Sequence, residues 1–404
     1  MTTKPIAIAL SLLAATALAQ TVNTSSPAPL ETAFESPGQV ETKMFLPQEL
    51  LHSVAPQAEN DGLVNTYFLS SGVEVTTGTA LRIRIRELYA IDKLRGMSKT
   101  EEFGKALSKA AKGKVESVAG IVRDPIGTVK RVPQGASRFF GRIGEGLKGG
   151  GSKTESNAVQ GLTGVDKAKV ALAAKLGVSP YSTNQELQEQ LTNTARAMAG
   201  GGLVVNAALM PLGAVNTVLS MNQTLQQTLV NSTPDDLRIM NRKKLFALGV
   251  TRENADEFLM HPWYSPWHET VITDALAAIG VDPTQFLAKA CQALTEQDAN
   301  YFQSLAQVLA RYHKAKTPLS SIRLENDRVC AIDSQGILVI PLSCDYAIWS
   351  EPAAARVELF SQLPQSRSEI KGLALWVDGK VSERAAQELK NRKIELATDV
   401  LAKQ

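Results

Sequence analysis

The chain has 404 residues, 44% of them hydrophobic and 21% charged, with a formal net charge of +3. At roughly 100–200 residues per domain, this length predicts two or three domains with buried cores. The composition excludes a collagen-like chain, a disulfide scaffold and a polytopic membrane protein, and the small net charge gives no reason to expect a nucleic-acid partner.

The N-terminus reads as an export signal. Lys4 supplies a positive start, Ile6 to Ala19 is apolar and uncharged, and Ala17-Leu18-Ala19 puts small residues where a signal peptidase reads. Residues 1–19 are therefore expected to be removed before Gln20, leaving a secreted, periplasmic or extracellular protein. The apolar run is short of the ~20 residues that a span requires. Residues 20–43 follow as a Ser-, Thr- and Pro-rich leader with no apolar period, a composition that favours disorder.

Residues 44–103 form the next segment. Asn60-Asp61-Gly62 is a turn signal, and Tyr67-Phe68-Leu69 and Val73-Glu74-Val75 flank Ser70-Ser71-Gly72, which predicts a small β-hairpin. A helix follows from Leu81, with Ile85, Leu88, Tyr89, Ile91 and Leu94 on its apolar face and Arg82, Arg86 and Lys93 opposite. Ser98-Lys99-Thr100-Glu101 reads as a capping box opening another helix.

Residues 104–164 are rich in Gly and Lys. Between residues 81 and 154 there are 17 Lys and Arg against seven Asp and Glu, so the near-neutral total hides one basic segment. Lys105, Lys109 and Lys112 recur on one helical face while Leu107, Ala111 and Val115 recur on another. Past Pro125 and Pro133, Phe139 and Phe140 begin an apolar stripe bordered by Arg138 and Arg142. Such a pattern suits an anionic lipid surface or an acidic envelope partner. It equally suits packing on the protein's own core, and the glycines weaken any helix there.

Residues 165–316 carry helical patterning. From Ala197 to Pro234 there is no Asp, Glu, Lys or Arg. Its two apolar arms, broken at Pro211-Leu212-Gly213, favour a buried hairpin; a membrane-inserting hairpin is the alternative. Thr233, Thr251, Ser265 and Thr295 stand where N-caps belong, with Pro or acids just after them.

At Thr317 the period becomes strand-like. Residues 317–404 predict a small α/β domain in the order β-β-α-β-α-β, from the apolar runs at 329–332, 337–340, 372–377 and 394–396 with helices between. The run at 337–340 lacks polar alternation, as a strand buried on both faces would. Cys330 and Cys344 flank a hairpin, but a two-residue turn at Ser334-Gln335 sets Cys330 opposite Val339, which disfavours a disulfide.

The fold class expected is α+β: an N-terminal β-hairpin, a mainly helical centre and a C-terminal α/β domain. No nucleophile elbow, phosphate loop or zinc spacing occurs, so no cofactor, metal or catalytic set is assigned. The function expected is that of a non-enzymatic envelope protein, touching anionic lipid or an acidic partner through Lys105, Lys109, Lys112, Arg138, Phe139, Phe140 and Arg142. The alternative is a hydrolase or metal site using His261, His268 and Glu269. Ser265 as a cap and Pro266 as first helical residue explain that stretch more simply.

Overall fold

A computed structural model of the chain describes residues 34–46, 48–70, 72–112, 164–201, 225, 228–229 and 232–402. The export signal, residues 20–33 of the leader, Arg138, Phe139, Phe140 and Arg142, and the middle of the charge-free stretch lie outside the described residues; the end of the leader, expected to be disordered, instead forms a strand at Gly38–Glu41 that pairs with Gln57–Asn60. The fold is α+β. Two compact units are formed, one from residues up to 81, 241–259 and 271–404, the other from 82–240 and 260–270.

The helices are α1 (Gly78–Ser98), α2 (Glu101–Lys112), α3 (Gly164–Leu176), α4 (Gln185–Gly201), α5 (Pro234–Ala247), α6 (Arg252–Leu259), α7 (Pro266–Ile279), α8 (Thr284–Ala290), α9 (Glu296–Ala315), α10 (Glu351–Ser361), α11 (Leu363–Ser366) and α12 (Glu383–Asn391). The caps read from the sequence hold. Asp236 N–H donates to Thr233 Oγ1 at 2.9 Å while Thr233 N–H donates to Asp236 Oδ2 at 3.1 Å, a reciprocal box at the start of α5. Thr251, Ser265 and Thr295 cap α6, α7 and α9, each hydroxyl oxygen accepting the N–H of the third residue on. One start differs. Thr100, not Ser98, caps α2, because the Ser98 hydroxyl is turned back to the carbonyl of Arg95 at the end of α1.

The first unit opens with an antiparallel sheet of β1 (Gly38–Glu41), β2 (Gln57–Asn60), β3 (Asn65–Phe68) and β4 (Glu74–Thr76), in that order. The expected hairpin is its β3–β4 half, with Tyr67 opposite Val75. The Asn60-Asp61-Gly62 turn joins β2 to β3. Asp61 Oδ1 accepts the N–H groups of Leu63 and Val64 at 2.9 and 2.8 Å, and Gly62 takes φ +114°, a region open to glycine.

The C-terminal sheet has the order β11-β9-β7-β6-β5. Its strands are β5 (Leu319–Glu325), β6 (Arg328–Asp333), β7 (Ile337–Leu342), β9 (Gly372–Val377) and β11 (Ile394–Ala397). β5, β6 and β7 pair antiparallel; β9 and β11 continue parallel from β7. A two-stranded parallel ladder joins β8 (Tyr346–Ala347) to β10 (Lys380–Val381). β7, the strand without polar alternation, is the central one.

Helices cover both faces. On one, Tyr312 of α9 meets Trp376 edge-on with ring centroids 4.8 Å apart. On the other, Phe360 of α10 and Leu389 of α12 pack with Cys330, Ile332, Leu338, Leu373 and Ile394. Strand alternation assigns the sides: Leu375 joins the α10–α12 face and Trp376 the α9 face.

The sequence reading missed β5, where Ser320, Ser321 and Arg323 break up the apolar signal, and the two-residue strands β8 and β10. The β6–β7 turn is also longer than expected. Ala331, not Cys330, faces Val339, because three residues form the loop. Gly336 supplies the left-handed φ of +87°, and Asp333 Oδ1 accepts the N–H groups of Gln335 and Ile337, both at 2.9 Å. All three cysteines are free thiols.

In the second unit, Ala90, Ile91 and Leu94 of α1 form a core with Leu172, Ala173 and Leu176 of α3 and Leu187 and Leu191 of α4. The buried stripe of α1 is rotated from the expected one. Leu88 is exposed, whereas Arg86 is buried and its pKa falls to about 10 through desolvation and the nearby Arg82. Glu87, also buried, accepts from Ser182 Oγ, from Asn184 Nδ2 at 3.0 Å and from Arg84 at 3.3 Å. This one carboxylate ties the turn at 180–184 to α1.

Two predictions follow from the first unit. Asp345 Oδ2 accepts the Asn65 N–H at 2.9 Å and Asp345 Oδ1 accepts the Gly78 N–H at 2.8 Å. Asp345→Ala orphans both donors and is expected to lower stability by about 1–3 kcal/mol in urea unfolding; an unchanged midpoint would refute this role.

Asp378 has its pKa raised to about 6 by desolvation, against hydrogen bonds from Ser343 Oγ and the Cys344 N–H. The folded chain therefore holds a proton that the unfolded chain gives up above the ordinary value of 3.8. Stability from this group is complete below that pH and is lost as pH rises through about 6. Asp378→Asn should flatten this part of the stability–pH curve; parallel curves for variant and parent would show that Asp378 does not titrate there.

Candidate functional site

The basic helix was the first candidate from the sequence. In α2, Phe103 and Ala106 are buried against Ala197 of α4, with Leu107 packed beside them. Phe103, Ala106 and Leu107 of α2 thus belong to the unit's own core, while Val115 and the Ala111 side chain lie outside the described residues. Lys105 and Lys109 are exposed, and Lys105 pairs with Glu101 at 2.5 Å. An exposed i,i+4 pair of this kind contributes little stability. Lys112 ends the helix.

The His261–Glu269 region forms a helix start and not a convergent site. Ser265 Oγ accepts the His268 N–H at 3.3 Å, while His268 Nδ1 lies 3.0 Å from Ser265 Oγ and accepts the Ser265 N–H at 3.2 Å. Both side chains thus serve the first turn of α7. Tyr264 is fully buried between His261 and His268, with ring centroids at 5.3 and 6.3 Å. Glu269 is fully buried and pairs with Arg238 at 3.4 Å. Burial first, and the Glu269 charge second, push the Tyr181 phenol up to about 12. Among the described residues, no group of three His, Cys, Asp or Glu is placed to hold a metal ion, and no helix is long and apolar enough to cross a membrane.

A site that the sequence did not point to lies in the C-terminal part of the first unit. A cavity of about 420 Å³ opens between the sheet and α10 and α12. This volume is within the range of small-molecule sites. Its walls are largely aliphatic: Ile340, Leu342 and Leu375 from the sheet, Ala353 and Val357 from α10, and Leu389 from α12. Ala353 is the smallest side chain that α10 contributes to the wall. Leu63, with Asp61 and Gly62, closes one side from the β2–β3 turn, and Ile348 and Trp349 close another.

Backbone bonds fix these walls. The Ile348 N–H donates to the Gly62 carbonyl at 3.0 Å, and the N–H groups of Asp345 and Tyr346 donate to Leu63 O at 3.0 and 3.1 Å. Trp349 N–H donates to Glu35 Oε2 at 2.7 Å, and Ser382 Oγ donates to the same oxygen at 2.5 Å. Trp349 is 1% exposed, and Arg392 lies over its ring at 4.9 Å from the centroid.

The polar lining is Asp61, Tyr301, Arg328, Ser350 and Arg356. Tyr301 comes from α9, Arg328 from the first position of β6 and Arg356 from α10. Burial raises the Tyr301 pKa, against a hydrogen bond with Arg328. Burial, then the charge of Arg328, lowers that of Arg356. No spacing motif links these residues, so local sequence patterns gave no signal. No known family, curated protein or solved structure matches the chain.

Proposed function

We propose that the mature chain is an exported, non-enzymatic binding protein of the cell envelope that holds a small, mainly apolar molecule in the cavity beneath α10. The observation that supports this reading is the cavity itself, of about 420 Å³ and walled mostly by aliphatic side chains. Water is a poor occupant of such a space, since it finds few polar partners. The export signal read from residues 1–19 supplies the compartment. Titration of the mature protein with the neutral fluorophore N-phenylnaphthylamine is expected to saturate at one site and to quench Trp349. Ala353→Phe, which directs a ring into the cavity, should weaken binding about tenfold or more and leave the thermal midpoint within a few degrees. Absence of saturable binding, or equal binding by the variant, would defeat the proposal.

A second reading concerns the surface. The exposed Lys105 and Lys109 of α2 favour contact with anionic lipid or an acidic envelope partner. Charge, and not insertion of α2, would carry this contact, because Phe103 and Ala106 are already buried. Mature protein should then bind vesicles containing phosphatidylglycerol and release them as salt shortens the Debye length below about 8 Å. Lys105→Glu combined with Lys109→Glu should weaken that binding; equal binding to phosphatidylcholine vesicles would end this reading.

A further inference from the structure

Glu35 precedes β1, yet its bonds run to residues on the border of the cavity. Its N–H donates to the Trp349 carbonyl at 2.9 Å. Its Oε2 accepts from the Trp349 N–H at 2.7 Å and from Ser382 Oγ at 2.5 Å. Both donors stand at helix starts. Trp349 immediately precedes Ser350, which caps α10 by accepting the Ala353 N–H at 3.4 Å. Ser382 caps α12, its Oγ accepting the Ala385 N–H at 3.0 Å. One carboxylate oxygen thus joins the N-terminal ends of the two helices that roof the cavity. Those ends carry the positive poles of the helix dipoles, and a charged acceptor makes the stronger hydrogen bond.

Resting on the reading of the cavity as a binding site, we infer that residues 34–36 form a strap which, through Glu35, sets the rate at which ligand enters and leaves. Trp349, Ser350, Val381 and Ala385 line the cavity, so the strap fixes the spacing of lining residues from outside. Its other end is anchored. Ser36 and Pro37 lead into β1, where Gly38 pairs with Asn60 beside the Asp61–Leu63 wall. Pro37 stiffens this short connection by fixing its φ.

The strap is built to lift. Phe34 is 46% exposed, and Ser36 and Pro37 are also exposed, so little buried apolar surface resists its release. Lifting it loosens the roof without detaching it. Arg392, at the end of α12, still lies over the Trp349 ring and 3.8 Å from Glu358 of α10. A tie outside the lining changes how often the walls part, and so scales entry and exit alike. A residue that touches the ligand would change exit alone.

Stopped-flow mixing of the mature chain with N-phenylnaphthylamine tests this. Glu35→Ala should raise the association and dissociation rate constants together, each about fivefold or more, with Kd within about twofold of the parent. Glu35→Gln, which keeps an acceptor oxygen and loses the charge, should fall between them. Saturation at one site per chain shows that the variants are folded. Hydrogen exchange adds a readout that needs no ligand. The Ala353 and Ala385 N–H groups bond to Ser350 and Ser382, not to Glu35. Loss of a local bond would leave them protected, whereas a loosened roof quickens their exchange in Glu35→Ala. Unchanged rate constants in Glu35→Ala, a Kd weakened through dissociation alone, or unaltered exchange at both alanines would overturn the strap and leave the apolar site standing. Absence of saturable binding by the parent would end the cavity reading and this inference with it.

Discussion

The clasp between the β2–β3 turn and the chain at 345–348 is the constraint on which the first unit depends. It joins residues far apart in the sequence by backbone bonds in one direction and a carboxylate in the other. Leu63 O and Gly62 O accept from Asp345, Tyr346 and Ile348, while Asp345 returns its two oxygens to the N–H groups of Asn65 and Gly78. The Gly78 bond satisfies a donor in the first turn of α1, a position that otherwise needs a local cap. Closing so long a loop is costly in chain entropy, and the cost is met cooperatively by several bonds of fixed geometry. Without this clasp, Asp61, Gly62 and Leu63 would have no reason to form a cavity wall.

The same region shows where glycine is required and why. A Cβ at Gly379 would stand 2.0 Å from the carbonyl oxygen of Cys344. The β9–β10 connection therefore lies directly against the chain leading into β8. Lys380 N–H donates to Asp345 O at 3.1 Å across this approach, and Asp378 accepts the Cys344 N–H at 2.9 Å. Asp378, Gly379 and Asp345 thus form one packed crossing, and the clasp continues through it to β10 and the Val381 wall of the cavity.

Much of the fold was legible because it depends on local rules. The caps at Thr233, Thr251, Ser265 and Thr295 were read from residue type and spacing alone, and each makes its bond. The central position of β7 followed from Ile337-Leu338-Val339-Ile340, a run with no face left for water. The failures share a cause. Leu88 and Arg86 exchanged places because the periodicity of α1 is compatible with more than one rotation, and packing against α3 and α4 selects among them. The β6–β7 register depends on one residue of loop length, which hydrophobicity does not encode. The cavity was invisible for a stronger reason: its walls come from stretches of chain as far apart as residues 61 and 394, and its two arginines look like ordinary surface residues until β6 and α10 are brought together.

Alanine at position 353 has a consequence for energetics as well as for space. Interiors pack to crystal-like density, and an unfilled apolar volume forfeits dispersion contacts on every wall. A larger side chain at position 353 would fill part of the gap. An occupant that binds only the folded state restores those contacts and adds to stability in proportion to its saturation. The exposed Lys105 and Lys109 have a different range: their charge acts only over about a Debye length and attracts any anion, whereas an apolar cavity discriminates by shape.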